Sequence, residues 1–179
     1  MIWRSVSWLI LSVLFLCVHT EVVAAPLEPA ETKAVAAALK MYEGRWVGHF
    51  TIHSTASGYS ETFPVEQQYW WKDGVLHGVA VSQREVGMSS ARSQSVAKEG
   101  KYFSEVKVGE VVENYFGVLH DGGIVWLSTN LKRTKDYQMK ESIVEVDGER
   151  VLMTEGFDTY VYGEGIAHLV YRGELKLVE

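Results

Sequence analysis

The sequence holds one cysteine in 179 residues, Cys17, close to its start. A lone thiol gives no disulfide framework. If that residue leaves with a leader, the remaining chain also has no thiol nucleophile, Fe–S cluster or cysteine-based zinc site. Proline is scarce as well, 3 residues against 16 glycines, which excludes collagen-like and proline-rich disordered classes. Positive charge is the third shortage. There are 17 Lys and Arg against 23 Asp and Glu, a formal net charge of −6, and no basic run. Such a chain is a poor partner for nucleic acid or an anionic membrane. The apolar run over residues 7–18 falls short of the ~20 residues needed to cross a bilayer as a helix. Motifs of catalysis are missing too: no Gly-x-Ser-x-Gly, His-Glu-x-x-His, phosphate loop or dinucleotide fingerprint. The expectation is a protein that is not an enzyme. The alternative, an acid/base pair drawn from strand carboxylates such as Glu66, Glu113, Glu141 and Glu155, has nothing in the sequence to select the pair.

What is present begins with an export pattern. Arg4 gives a positive start, the short apolar run follows, and Val22-Val23-Ala24-Ala25 supplies small residues for cleavage. The expectation is a signal peptide over residues 1–24, cut after Ala24 because Pro26 disfavours a cut one residue later. The product would be periplasmic or secreted, with no membrane span left after cleavage. The remaining ~155 residues make one domain with a sizeable core. Within them, residues 25–43 form an N-terminal segment carrying one helix over 30–41. Its start has Pro29, its body is alanine-rich, Val35, Leu39 and Tyr42 share a face, and Gly44 stops it.

From residue 44 to 179 the pattern is strand and turn. Residues 44–53 alternate Trp46, Gly48, Phe50 and Ile52 against Arg45, Val47, His49 and Thr51. Residues 61–71 do the same with Phe63, Val65, Gln67, Tyr69 and Trp71 on one face. Further strands are expected near 75–84, 89–97, 101–108, 110–119, 124–130, 137–146, 150–162 and 166–177. Between them lie Asp73-Gly74, Glu99-Gly100, Gly109, Asp121-Gly122-Gly123, Asp147-Gly148 and Gly163-Glu164-Gly165, all turn chemistry. Tight turns join antiparallel neighbours. A long meander has two raw edges unless it closes. The expected fold is therefore all-β: a closed antiparallel up-and-down barrel of about ten strands, with the short helix at the closed end. A two-sheet sandwich is the runner-up and needs longer connections.

The stretch Tyr42-Glu43-Gly44-Arg45-Trp46-Val47-Gly48, a helix end, Gly-x-Trp and an opening strand, resembles the start of calycin-type β-barrels: lipocalins, fatty-acid-binding proteins and nitrobindin-like haem barrels. The resemblance implies that Trp46 packs at the closed end against a basic residue of the last strand, and Arg172 is the match for that residue. It also implies a small hydrophobic or amphipathic ligand in the lumen. The Gly-x-Trp-x-Gly opening and His168-Leu169 resemble the nitrobindin branch, which would make His168 an axial haem ligand. Phe50 departs from that branch, standing where a third glycine is usual.

The residues themselves suggest where such a ligand would lie. Phe63, Gln67, Tyr69 and Trp71 mix apolar bulk with polar tips, as a pocket for an amphipathic molecule does, and His77 could join them. Period two groups His168 with Val170, Arg172, Glu174 and Lys176, opposite the more apolar Ala167, Leu169, Tyr171, Leu175 and Leu177. If Arg172 reaches Trp46, His168 turns inward with it; if the apolar set is inside, His168 faces out. His49 and His53 sit four residues apart on one strand, ~13 Å, too far to share a zinc ion. Trp70 and Trp71 are adjacent and point to opposite sides. An outward Trp70 would support a third reading, a non-catalytic protein-interaction module.

Overall fold

The computed structural model describes residues 29–130, 132–133 and 135–178; the signal peptide expected over residues 1–24 lies outside them. Helix α1 spans Pro29–Lys40. Ten strands follow among the described residues: β1 (Gly44–Ser54), β2 (Ser60–Lys72), β3 (Val75–Arg84), β4 (Gly87–Lys98), β5 (Lys101–Val108), β6 (Val111–His120), β7 (Gly123–Ser128), β8 (Tyr137–Val146), β9 (Glu149–Tyr162) and β10 (Gly165–Leu177). Each pairs antiparallel with its sequence neighbours, and β10 returns to pair with β1, so the ring closes without an edge. The closing seam runs from Trp46↔Leu177 to Ser54↔Leu169. All ten expected strands are present in one ring, which excludes the sandwich.

The two-residue period decides what the wall encloses. In β2, Glu61, Phe63, Val65 and Gln67 are buried while Thr62, Pro64, Glu66 and Gln68 are exposed. At one end of the barrel, four hairpins turn through an acidic residue followed by glycine. Asp73, Glu99, Asp121 and Asp147 lie at φ 51°, 52°, 47° and 54°, and the glycine after each is also at positive φ. Two successive left-handed residues match the twist of the paired strands and give the tightest connection. Phe50 has its own structural reason: a side chain on Gly173 of the neighbouring strand would run into its ring, so the aromatic covers that glycine.

The end with the four tight turns is the closed one. Val35, Leu39 and Tyr42 are buried on one face of α1 and the turn after it. They pack with Trp46, Leu76, Tyr102, Ile124, Leu152 and Leu175 in one core. Burial of each such side chain contributes about 1.5–3 kcal/mol. Trp46 is 0 % exposed and its Nε1 donates to Tyr42 O at 2.7 Å. The guanidinium over its ring belongs to Arg150, 5.5 Å from the centroid, and Arg150 Nη2 also donates to Met41 O. Carbonyls beyond the end of α1, which have no partner within the helix, are thus capped by two side chains of the barrel.

This corrects the expected pairing of Trp46 with Arg172. Leu177, not Arg172, stands opposite Trp46. Arg172 lies five residues up β10, ~17 Å away along the strand, exposed on the outer face and registered with Thr51 and Glu155. The cation comes from the start of β9, the strand before the last.

Candidate functional site

Above the closed-end core the interior is not filled. A cavity of about 110 Å³ lies against the inner wall of β2 to β8, with Leu39 and Tyr42 reaching it from the helix side. Its lining mixes hydroxyls with rings: Ser93, Ser95 and Ser104 on β4 and β5, and Tyr69, Tyr115, Trp126 and Tyr137 on β2, β6, β7 and β8. Ser95 Oγ donates to Ser104 Oγ at 2.9 Å. Burial pushes the Tyr69 and Tyr137 hydroxyls up, so both stay neutral donors.

Among the described residues, Glu141 is the one carboxyl lining this cavity. The period of β8 aims Tyr137, Met139 and Glu141 inward together. Pairing of β7 with β8 sets Ile124 opposite Glu141 and Trp126 opposite Met139, which brings the Trp126 Nε1 to 2.8 Å from Glu141 Oε2 as a donor. Among the described residues no Lys or Arg pairs with this carboxyl. Burial pushes its pKa up, against the hydrogen bond from Trp126 and the nearby Tyr42 hydroxyl. The Tyr42 hydroxyl faces the same group and is itself pushed well up by burial and by Glu141. It makes no hydrogen bond of good geometry among the described residues.

The opposite end, the mouth, is charged and cross-linked. Glu61, 6 % exposed, receives Arg84 at 2.7 Å, the Tyr59 hydroxyl at 2.7 Å and the Glu85 N–H at 2.8 Å. Arg84, ahead of the other two, holds the Glu61 carboxyl down at about 2. The Arg84 guanidinium also lies 5.3 Å from the Phe63 ring centroid. On the other side, Arg133, from the loop between β7 and β8, donates to Glu113 at 2.6 Å and to both oxygens of Asp158 at 2.7 Å. It sits over the Tyr137 ring at 5.9 Å, and Tyr115, whose ring lies 5.1 Å from that of Tyr137, donates to Glu113. Arg133 therefore ties three strands together directly above the cavity's tyrosines.

The expected binding residues are divided by these facts. Phe63, Gln67, Tyr69 and Trp71 all face inward, but only Tyr69 lines the cavity. Gln67 accepts from the Tyr69 hydroxyl at 3.2 Å, Phe63 lies under Arg84 at the mouth, and Trp71 packs against the closed-end core. His77 is a correction. The inner residues of β3 are Leu76 and Gly78, and His77 is outside, stacked on Trp70 at 5.7 Å and 16°. Gly78 is required inside because a side chain there would run into the Tyr69 ring and Ser93.

His168 is likewise on the outer wall, exposed, 3.0 Å from Thr159 Oγ1 through Nδ1 and edge-on to Phe157. The apolar set of β10 takes the inside, so His168 offers no ligand to an iron within the barrel. His49 and His53 are exposed, and among the described residues no group of three or more His, Cys, Asp or Glu could hold a metal ion. Of the four candidate carboxylates, Glu113 and Glu141 face inward, Glu66 pairs outside with Arg45, and Glu155 is exposed. Ser95, Ser104, Tyr115, Trp126 and Tyr137 were not singled out from the sequence. The alternation that revealed the inner face of residues 61–71 runs through 137–143 as well and would have found Tyr137, Met139 and Glu141 together. No protein-family model matches the chain, and no curated protein matches it in sequence.

Proposed function

We propose that the protein is an exported binding barrel of the calycin type, which takes a small amphipathic molecule into its interior without transforming it. The observation that carries this reading is the 110 Å³ cavity, walled by rings and dotted with hydroxyls, beneath a mouth closed by ion pairs. A helix over a buried tryptophan at the start of the first strand of a closed ten-stranded barrel supports the calycin assignment. The volume narrows the ligand class. An apolar cavity of about 150 Å³ takes up benzene, so this one suits a molecule of a few heavy atoms rather than a long fatty chain. Uptake is measured by NMR saturation transfer to n-butanol. Wild type is expected to show transfer, and Ser104→Phe, which fills the cavity from β5, is expected to lose it. Absence of transfer in wild type, or its persistence in a folded Ser104→Phe variant, overturns the reading.

A further inference from the structure

We propose that the cavity selects a small organic cation, an alkylammonium, with Glu141 as its counter-ion and the surrounding rings as its box. The inference rests on the binding reading above and names the ligand class for that same site.

The argument starts from what the carboxyl has and lacks. Its Oε2 accepts one hydrogen bond, from Trp126 Nε1 at 2.8 Å. Among the described residues no cation pairs with it, although the barrel spends three carboxylates on arginines at the mouth: Glu61 on Arg84, and Glu113 and Asp158 on Arg133. A buried carboxylate is normally paired or else costly. Here it is partly exposed to the cavity it lines, so a cationic partner has a place to sit. The walls suit a cation as well. Tyr42, Tyr69, Tyr115, Tyr137 and Trp126 surround the space, and ring faces attract an ammonium group when it is desolvated. Apolar side chains such as Leu39, Leu76 and Met139 complete the lining and fit a short alkyl tail. Among the described residues an anionic ligand finds no matching charge in the cavity, because Arg84 and Arg133 are already held by carboxylates above it.

The groups facing Glu141 bear on how binding depends on pH. Tyr42, Tyr69 and Tyr137 face it from the helix side, β2 and β8, and burial pushes all three hydroxyls upward; the Trp126 N–H from β7 does not titrate. Of this set, Glu141 is the acid, and because burial raises its pKa it must lose a proton to serve as counter-ion. Affinity for an alkylammonium should therefore rise with pH across the carboxyl's titration, whereas affinity for a neutral isostere should stay flat.

The experiment compares n-butylammonium, n-butanol and butyrate, probes of equal chain length, by NMR titration of wild type and Glu141→Gln. At about pH 8 wild type is expected to bind butylammonium about tenfold more tightly than butanol and butyrate least. The preference should shrink as pH falls and the carboxyl is protonated. Glu141→Gln should lose the preference while still binding butanol. Equal binding of the amine and the alcohol by wild type, or a preference that survives in Glu141→Gln, overturns the cation assignment and leaves the binding barrel standing. Failure of all three probes to bind wild type overturns both. The wild-type comparison and its pH profile carry the test even if the variant does not fold.

Discussion

Glu141 occupies a position where a carboxylate lowers stability. Its pKa is raised by burial, so the folded state holds the proton more tightly than the unfolded chain, whose carboxyl titrates near ~4.3. Below that range both states are protonated and the group contributes nothing. As pH rises through the folded value, ionising the buried group costs stability. Glu141→Gln is therefore expected to melt at a higher temperature than wild type at about pH 8 in the absence of ligand, with the gain gone by about pH 4. Thermal melts at the two pH values check this; a variant no more stable at the higher pH would show that the carboxyl is well accommodated when charged. At this scale the sequence was only partly readable. Trp46 was legible from Gly-x-Trp, but its cation was not: Arg150 and Arg172 both lie on the last two strands, and only the register, Trp46 opposite Leu177, decides between them.

At the scale of elements, the alternation and the turn residues carried almost everything. Strand boundaries fell close to the expected ones because each closed-end hairpin is marked by an acid–glycine pair with both residues at positive φ. Gly148, at φ 80°, meets nothing that would obstruct a side chain, so Gly148→Ala isolates the backbone cost. Chemical denaturation should show a loss of about 1 kcal/mol, with no change in binding. A loss within ~0.2 kcal/mol of zero would mean that the turn relaxes to another form.

On β3 the hydropathy pattern points to the outer face. Val75, Val79 and Val81 are the more apolar set, yet Leu76 and Gly78 are inside. The barrel interior selects by size as well as polarity: with the Tyr69 ring across from it, the wall at residue 78 has room for hydrogen alone. A reading by hydrophobicity has no access to such volumes, and for the same reason it could not foresee which inward residues border the cavity.

At the scale of the whole molecule, the two ends of the barrel differ in kind. One is sealed by an apolar core, a helix and four minimal turns; the other is spanned by Arg84 and Arg133 with their carboxylates. Closure of the ring was legible because ten strands in sequence, joined by short turns, leave no other economical way to bury both edges. The interior arrangement was not, since it depends on which strands face each other across the lumen.

The seam between β1 and β10 has a consequence for how the chain can be wired. It brings residue 178 beside residue 45, with Val178 N donating to Arg45 O at 2.8 Å, next to the end where α1 lies. The order of strands around the ring therefore does not depend on where the polypeptide is interrupted. A circular permutant that links residue 178 to residue 29 through a flexible tether, and opens between Gly109 and Glu110 in an exposed turn, should fold to the same ring. Its amide NMR spectrum should overlay that of the parent except near the new termini; a spectrum of collapsed, poorly dispersed resonances would mean that the native start of the chain is needed to nucleate the barrel.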